Sequence, residues 1–356
     1  MLPFRGRDVK LSRSWSAEGG AGSPSDDGPM NGGRSSHAIR LDVVTPDAYV
    51  RDVLPHSSPQ WAGARTFDEY VAEFRATASS AWGKRRFRTL GLRVGGVLVA
   101  SCKRYDRMLR CDERSYKAAG IGAVFTPDAL RGRGYATALI GAVLDAERDA
   151  GTDLAYLYSD IHPAFYERLG FVALPSRTIA LRADALPAER IEIAALGDAD
   201  TAAMRRLLGA LDARRPFAFV RTPLDWEWQR LHAASQEHAA PLLRLGVRRG
   251  RALLAYVIGR RVPAADAFVV DEFAFAGDDA RLIAPLLRAG AGDLRTVRGW
   301  LPPAVARDAL PRGAVRARKD AIAMVLPLSA RFRAAFRARA AERRESADPC
   351  WSTDHI

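Results

Sequence analysis

The sequence predicts a protein of the α/β (α+β) class, with two similar units that each hold a mixed, mostly antiparallel sheet flanked by helices. The 356 residues are enough for two domains of ordinary size, and their hydrophobic (48%) and charged (27%) fractions are those of a soluble globular protein. Short apolar runs with strand character alternate with amphipathic helical segments. The order of these elements in residues 39–185 recurs more loosely in residues 186–330, which indicates tandem copies of one fold.

The first unit begins with the strand AIRLDVVT and helices over residues 47–54 and 67–82. Three strands follow, FRTLGLRV, GVLVASCKRYDRM and RSYKAAGIGAVFT. A helix starts at Gly134, because the apolar residues after it recur at the spacing of one buried face. The run LAYLYS predicts a strand covered on both faces. A short helix over residues 163–169 ends at Gly170, and the strands FVAL and RTIALRA close the unit.

The second unit repeats this order. The strand IEIAAL precedes helices over residues 200–213 and 224–234, and the strands LLRLGVRR, ALLAYVIGRRV and AFVVDEFAFAG come next. A helix over residues 279–289 and the strands TVRGWL and AIAMVLPL complete the unit.

The two ends of the chain lack this pattern. Residues 1–38 are rich in Gly, Ser, Asp and Arg, so they are predicted to be disordered, and Met30 is an alternative start. Residues 331–356 begin as a basic helix and then lose their periodicity, which predicts a solvated helix with a frayed tail.

Composition argues against several functional classes. The formal net charge is +13, but the positive charge is almost all Arg in an Ala-rich chain and is spread along the sequence, so no nucleic-acid partner is expected. No apolar run approaches the ~20 residues of a membrane span, and no secretory signal is evident, so a cytoplasmic protein without a membrane partner is expected. Cys102, Cys111 and Cys350 lack metal-ligand spacing, so neither a metal site nor a disulfide framework is predicted.

The segment AVFTPDALRGRGYATALIGAVL has the strongest chemical signal. A strand ends before Pro127, and a loop with Gly132 and Gly134 then leads into a helix. Glycines let the backbone turn tightly against a ligand, and the first amides of a helix favour an anion, so the loop suits a diphosphate. It lacks the Lys-Ser/Thr of the Walker loop and the distal acid of a dinucleotide fingerprint. A plain turn is the alternative.

A second motif follows about 20 residues later, and together the two resemble a known family. The string R-G-R-G-Y-A matches the R/Q-x-x-G-x-G/A signature of the GNAT N-acetyltransferase superfamily. LYSDIHPAFYERLGF is similar to the next stretch of that family, a strand and short helix ending in Tyr166, Gly170 and Phe171. The resemblance covers residues 39–185.

This resemblance implies a GNAT-type fold, a second copy that is degenerate, and acetyl-CoA as cosubstrate. The backbone of Ala123, Val124 and Phe125 would pair with the pantetheine arm. Tyr166 would protonate the departing thiolate, with a packing aromatic as the alternative. The diphosphate would be held by the loop amides, which are those of Arg131, Gly132, Arg133, Gly134, Tyr135 and Ala136.

Asp160 stands where many family members have Asn. It is a candidate general base or ligand of the substrate cation, because a primary amine must lose a proton before it attacks. A cap for the following helix is an equally good interpretation. His162 is a further candidate base, and a simple loop residue is its alternative.

The second unit lacks an R-G-x-G loop and reaches its helix through acidic residues in AFAGDDARLIAPLL, so it is not expected to bind CoA. The layout is similar to that of the fungal lysine N-acetyltransferases and, more loosely, of the mycobacterial aminoglycoside acetyltransferases. Such a silent half would shape the acceptor pocket. Asp271, Glu272 and residues 225–228 are candidates for recognising a cationic amine, with salt bridges and core packing as alternatives.

The function that the resemblance implies is transfer of an acetyl group from acetyl-CoA to a primary amine, by direct attack when both are bound. A small molecule or amino acid is the expected acceptor. A protein or peptide N-acetyltransferase and a non-catalytic acyl-CoA-binding regulator are the alternatives.

Overall fold

The computed structural model describes residues 7–8, 38–63, 65–160, 163–187, 191–235, 240–277, 279–301, 310–339 and 348–355. Apart from residues 7–8 and 38, the N-terminal segment predicted to be disordered lies outside these ranges. Residues 7–8 form a short strand, so the prediction of disorder is wrong for them. Every helix in the described ranges is too short or too polar to span a bilayer.

The helices and strands of the first half are β1 Arg7–Asp8, β2 Ile39–Val44, α1 Pro46–Asp52, α2 Leu54–Trp61, α3 Phe67–Ser79, α4 Ala81–Arg86, β3 Phe87–Val94, β4 Val97–Cys111, β5 Arg114–Phe125, α5 Tyr135–Asp149, β6 Leu154–Ser159, α6 Pro163–Glu167 and β7 Val172–Ala173. Single 3₁₀ turns occur between some of them.

Those of the second half are β8 Arg177–Arg182, β9 Ile193–Ala195, α7 Thr201–Ala213, β10 Phe217–Phe219, α8 Pro223–Ser235, β11 Leu242–Arg249, β12 Ala252–Val262, β13 Ala267–Phe275, α9 Ile283–Ala291, β14 Thr296–Leu301, β15 Val315–Ala317, β16 Ile322–Pro327 and α10 Ala330–Ala338.

Two mixed sheets confirm the predicted fold class. The first sheet has the order β1-β2-β3-β4-β5-β6-β16-β7, with β10 paired to the far end of β4. The second has the order β15-β8-β14-β13-β12-β11-β9. Each sheet has one parallel pair, β5 with β6 and β13 with β14, and its other described pairs are antiparallel. The repeated parallel pair marks the two copies of one arrangement.

The two units exchange a strand, and here the sequence-based assignment is wrong. The strand expected to close the first unit, β8, pairs with β14 and β15 in the second sheet. The strand expected to complete the second unit, β16, lies between β6 and β7 in the first sheet. The apolar β6 needs a partner on each edge, and the two-residue β7 is too short to cover it. The six-residue β16 supplies the missing ladder.

The predicted helix over residues 67–82 is two helices, α3 and α4, because the Ser80 hydroxyl caps α4 by accepting from the Gly83 amide at 2.9 Å. Trp82 on α4 is fully buried and stacks on Trp228 of α8, with ring centroids 4.9 Å apart. Helix α8 of the second unit thus packs on the helical layer of the first.

Candidate active site

The parallel strands β5 and β6 separate part-way along their length. They pair from Ala118 opposite Leu154 to Gly120 opposite Tyr156, and no later pair is formed in the described ranges. Just beyond, a bulge in β5 places Ala123 at φ 47°, a left-handed conformation that costs roughly 1–3 kcal/mol in a non-glycine residue. The backbone after Gly120, including the predicted residues 123–125, therefore faces a gap rather than a neighbouring strand.

The glycine-rich loop lies at the end of this gap and leads into α5. Gly132 and Gly134 have φ values of 75° and 76°, which explains why both are glycines. A Cβ added at Gly132 would meet no atom within 4 Å, so the space beside it is open. Gly134 is the N-cap of α5 and has no side chain to accept from the first helical amides. These amides and the helix dipole form a binding surface for an anion.

The two loop arginines differ in their contacts. Arg131 forms an ion pair with Asp128 at 2.7 Å and donates from Nε to the Thr126 carbonyl at 3.2 Å, so its side chain stabilises the loop itself. Arg133 is exposed and adds positive charge at the loop surface. The loop thus offers backbone amides with cationic side chains around them.

Tyr166 lies on α6, in an apolar environment next to the gap. Its ring contacts Phe165 and Phe171 edge-on, at centroid distances of 4.9 and 6.0 Å. Burial, with smaller contributions from Cys102 and Asp160, raises the pKa of Tyr166 to about 12. Its phenol is therefore protonated at neutral pH and can donate a proton.

Asp160 follows the last residue of β6 and is partly exposed. Burial raises the pKa of its carboxyl group, while a hydrogen bond from the Ala321 backbone opposes this effect. A raised pKa brings a carboxylate closer to the basicity that proton abstraction requires. The alternative base His162 lies outside the described residues.

A cavity of about 230 Å³, here called the first cavity, lies beside the β5 bulge. Ala123 and Asp160 reach its wall, so it adjoins the gap between β5 and β6. Its charged side chains are two acids and two bases, Glu73, Asp160, Arg65 and Lys103, and its other walls are largely aromatic. The first cavity therefore suits a small ligand that carries charge of either sign on an apolar body.

Glu73 is held inside the first cavity by residues from both units. It forms an ion pair with Arg65 and a hydrogen bond of 3.2 Å with Nδ1 of His232 on α8. Burial alone would raise the pKa of Glu73, but the contacts with His232 and Arg65 outweigh burial and lower it to about 2. Glu73 is therefore a fixed negative charge in the cavity wall.

The C-terminal residues 348–355 are packed between the two units, so the predicted frayed tail is wrong for this segment. Trp351 is fully buried, and Asp354 accepts hydrogen bonds of 2.8 Å from both Arg107 of the first unit and Arg221 of the second. His355 lines the first cavity between Tyr158 and Trp300. Sequence reasoning missed this role, for which the apolar Cys350-Trp351 pair was the available signal.

Burial lowers the pKa of His355 to about 4, with the charges of His232 and Arg318 acting in the same direction. The imidazole is therefore neutral at pH 7. It contributes a polar but uncharged group to the cavity wall.

The acids of the second unit that were candidates for amine recognition have different surroundings. Asp225 is buried, accepts from the Thr222 amide at 2.7 Å and from Nε1 of Trp82 at 3.1 Å, and so caps α8. Glu272 is buried and accepts from Tyr256, Arg221 and Thr353. These contacts favour the structural interpretation for both. Asp271 lines a separate cavity of the second unit.

Comparisons with known proteins agree with this arrangement. Residues 48–173 match the family model described as an acetyltransferase (GNAT) domain. A lysine acetyltransferase of Yarrowia lipolytica is 27% identical over 157 residues, which are 37% of this chain and 40% of that protein. The chain thus spans two-fifths of the length of the curated relative that it matches.

Solved structures resemble the whole two-unit arrangement. A GCN5-related N-acetyltransferase from Kribbella flavida is similar over 82% of this chain and 72% of that chain, at 21% identity and a TM-score of 0.63. A tandem GNAT protein from the clavulanic acid biosynthesis pathway is similar over 82% of this chain and 99% of that chain, at 12% identity and a TM-score of 0.51. These likenesses establish the fold. Residues 48–173 thus resemble the acetyltransferase (GNAT) domain.

Proposed function

We propose that this chain transfers an acetyl group from acetyl-CoA to a primary amine of a small molecule. The proposal is supported by the succession of three features: the loop before α5, the gap between β5 and β6, and the first cavity. They offer, in this order, sites for a diphosphate, an extended arm and an amine.

The residues fit acetyl-CoA, which when bound supplies the activated acetyl group. The amides of the loop and of the start of α5, from Arg131 to Ala136, hold the diphosphate. The space beside Gly132 is open, and the positive φ of Gly132 and Gly134 lets the loop turn tightly against the ligand. The backbone of residues 123–125 pairs with the pantetheine arm as an added strand would. The adjoining first cavity holds the amine, and its carboxylates attract the ammonium form.

The reaction needs two proton transfers. Asp160 accepts a proton from the ammonium group, which frees the nitrogen lone pair to attack the thioester carbonyl. The new C–N bond replaces the C–S bond, and Tyr166 donates its phenolic proton to the departing sulfur. After the attack, the nitrogen loses its excess proton to solvent and the phenol is reprotonated from solvent. Asp160 then releases its proton to solvent, so the protein ends in its starting state and the reaction releases one proton overall.

A small acceptor is favoured over a protein side chain because the first cavity measures only about 230 Å³ and is walled by residues of both units. The test is incubation of the full chain with acetyl-CoA and a panel of amines, beginning with lysine and polyamines, and detection of acetylated products by mass spectrometry. Acetylation of a small amine supports the proposal. Acetyl-CoA binding without turnover of any amine or peptide contradicts it and favours a non-catalytic regulator.

A further inference from the structure

The second unit keeps its own cavity, of about 350 Å³, here called the second cavity. Elements of the second unit line it in the order in which their counterparts line the first: helices, then β11, β12 and β13 in place of β3, β4 and β5. The β13–β14 pairing ends at Val270 opposite Gly299, and a bulge follows at Asp271, as the bulge at Ala123 follows the end of the β5–β6 pairing. The second cavity is thus the counterpart of the first.

Helix α8 separates the two cavities. Trp228 and His232 are one helical turn apart and face the first cavity. Their rings stack there, with centroids 5.4 Å apart. Another face of the helix lines the second cavity with Trp226, Gln229, Arg230 and Ala233. His232 lines both cavities. His232 is therefore the shared wall at which the two cavities approach each other.

The second cavity has an excess of positive charge and apolar walls. Its guanidinium groups, from Arg230, Arg244 and Arg260, outnumber its carboxylates, from Asp198 and Asp271. Arg260 lies 3.6 Å from Asp271, so Arg230 and Arg244 are the cations that remain for a ligand. Arg244 pairs with Asp198 at 2.9 Å, but that carboxylate is 80% exposed and competes weakly. Met204, Trp226, Leu242 and Ile258 provide the apolar surface.

We infer that the second cavity binds the far end of the acceptor, and that this end is a carboxylate on an apolar chain. The inference rests on the proposed function, which places the amine in the first cavity. An acceptor that spans both cavities past His232 has an ammonium group near Glu73 and Asp160 and a carboxylate near Arg230 and Arg244. The substrate class is therefore an elongated amino acid with its amine and carboxylate at opposite ends.

The test compares 6-aminohexanoate with hexylamine, which lacks the carboxylate. We expect the parent chain to have a lower KM for 6-aminohexanoate. In Arg244→Gln the KM for 6-aminohexanoate rises about tenfold or more, since a charge-assisted hydrogen bond is lost, while the KM for hexylamine stays constant. Arg249→Gln is the matched control, because Arg249 is an exposed residue at the end of the same strand and does not line the cavity. Equal KM values for the two amines in the parent overturn the inference.

A binding measurement separates this inference from the proposed function. Hexanoate has no amine, so its binding, followed by calorimetry, depends on the second cavity alone. Binding by the parent that is weakened in Arg244→Gln and in Arg230→Gln, but kept in Arg249→Gln, supports the carboxylate site even if no amine is acetylated. Absence of hexanoate binding in a folded parent, or equal binding in all four proteins, overturns it. Arg230 is exposed, so its replacement leaves the core intact.

Discussion

The phenol of Tyr166 has the most specific chemical task in the proposed reaction, which is to protonate the departing sulfur. Its pKa of about 12 keeps the phenol protonated at neutral pH, so that it can donate its proton to the sulfur on which negative charge develops. In Tyr166→Phe we expect kcat to fall by about a hundredfold or more, because general acid catalysis is lost, while the Kd for acetyl-CoA stays the same. Steady-state kinetics and calorimetry check the two parts.

Tyr116→Phe is the matched control for that substitution. Tyr116 is buried against Phe332 in a different apolar cluster, so the same atom is removed away from the gap between β5 and β6. A kcat that is unchanged in Tyr166→Phe would remove this residue from the mechanism and leave it as a packing aromatic.

Single residues could be predicted from sequence where one local motif determines them. The positive φ values of Gly132 and Gly134 follow from a loop that must turn tightly before a helix. The pairing of Glu73 with His232 could not be predicted, because the two are 159 positions apart and meet only when α8 packs on the first unit. For the same reason, the sequence could not decide between amine recognition and a structural role for Asp225 and Glu272. Their partners come from distant segments.

At the scale of elements, the C-terminal segment 348–355 supplies part of the cavity wall and carries a titratable group. The pKa of His355 is about 4 in the folded chain and has its ordinary value of about 6.5 in the unfolded chain. As the pH falls from about 6.5 to 4, the unfolded chain takes up a proton that the folded chain does not. The free energy of unfolding therefore falls across this window, by about 3 kcal/mol at most from this group.

Urea unfolding at a series of pH values, in the parent and in His355→Phe, measures this effect. We expect the loss of stability between pH 7 and pH 4 to be smaller in His355→Phe than in the parent, and His56→Phe, which replaces an exposed histidine, to behave like the parent. Identical pH dependence in the parent and His355→Phe would mean that the imidazole is accessible to protons in the folded chain.

Elements were predictable where one periodicity ran through a segment, as in α5 and in the strands β3, β4 and β5. The sheet that each strand joins could not be predicted, because β8 and β16 have apolar patterns that suit either sheet. Their exchange depends on β6, which needs a hydrogen-bonding partner on its second edge. This requirement is visible only in the assembled sheet. The short β10 was missed because three residues show no period.

At the scale of the whole molecule, the exchanged strands and a buried charge network join the units. Asp354 lies between Arg107 and Arg221. Its replacement leaves Arg221 paired with Glu272, but leaves the buried Arg107 with the Asp225 carboxylate at 4.0 Å. We expect one cooperative urea transition, and a free energy of unfolding lower by about 3–5 kcal/mol in Asp354→Asn. Asp184→Asn, which breaks an exposed ion pair with Arg182, should change stability little.

Far-UV circular dichroism and tryptophan fluorescence, followed together, measure both parts of this prediction. Two separate transitions in the parent would show that the units unfold independently, despite the strand exchange. An Asp354→Asn chain as stable as the parent would show that the network adds no net stability.

The boundaries proposed at residues 38, 185 and 330 follow the repeat in the sequence, but the sheets cross two of them. Residues 177–182 lie before the second boundary and join the second sheet, while residues 322–327 lie before the third and join the first. The repeat describes how the chain is ordered, and hydrogen bonding describes how the molecule is assembled. A domain defined by either alone would be incomplete.

Calorimetric binding of acetyl-CoA to the parent, to Gly134→Asp and to Gly151→Asp tests directly whether the loop before α5 is the cofactor site. Both glycines have positive φ, 76° and 70°, and they lie at opposite ends of α5, so the two variants carry similar strain and the same added charge. If the first amides of α5 hold the diphosphate, the parent and Gly151→Asp bind acetyl-CoA and Gly134→Asp does not. Equal affinity in all three folded proteins, or no binding by the parent, would contradict the claim that this loop is the cofactor site.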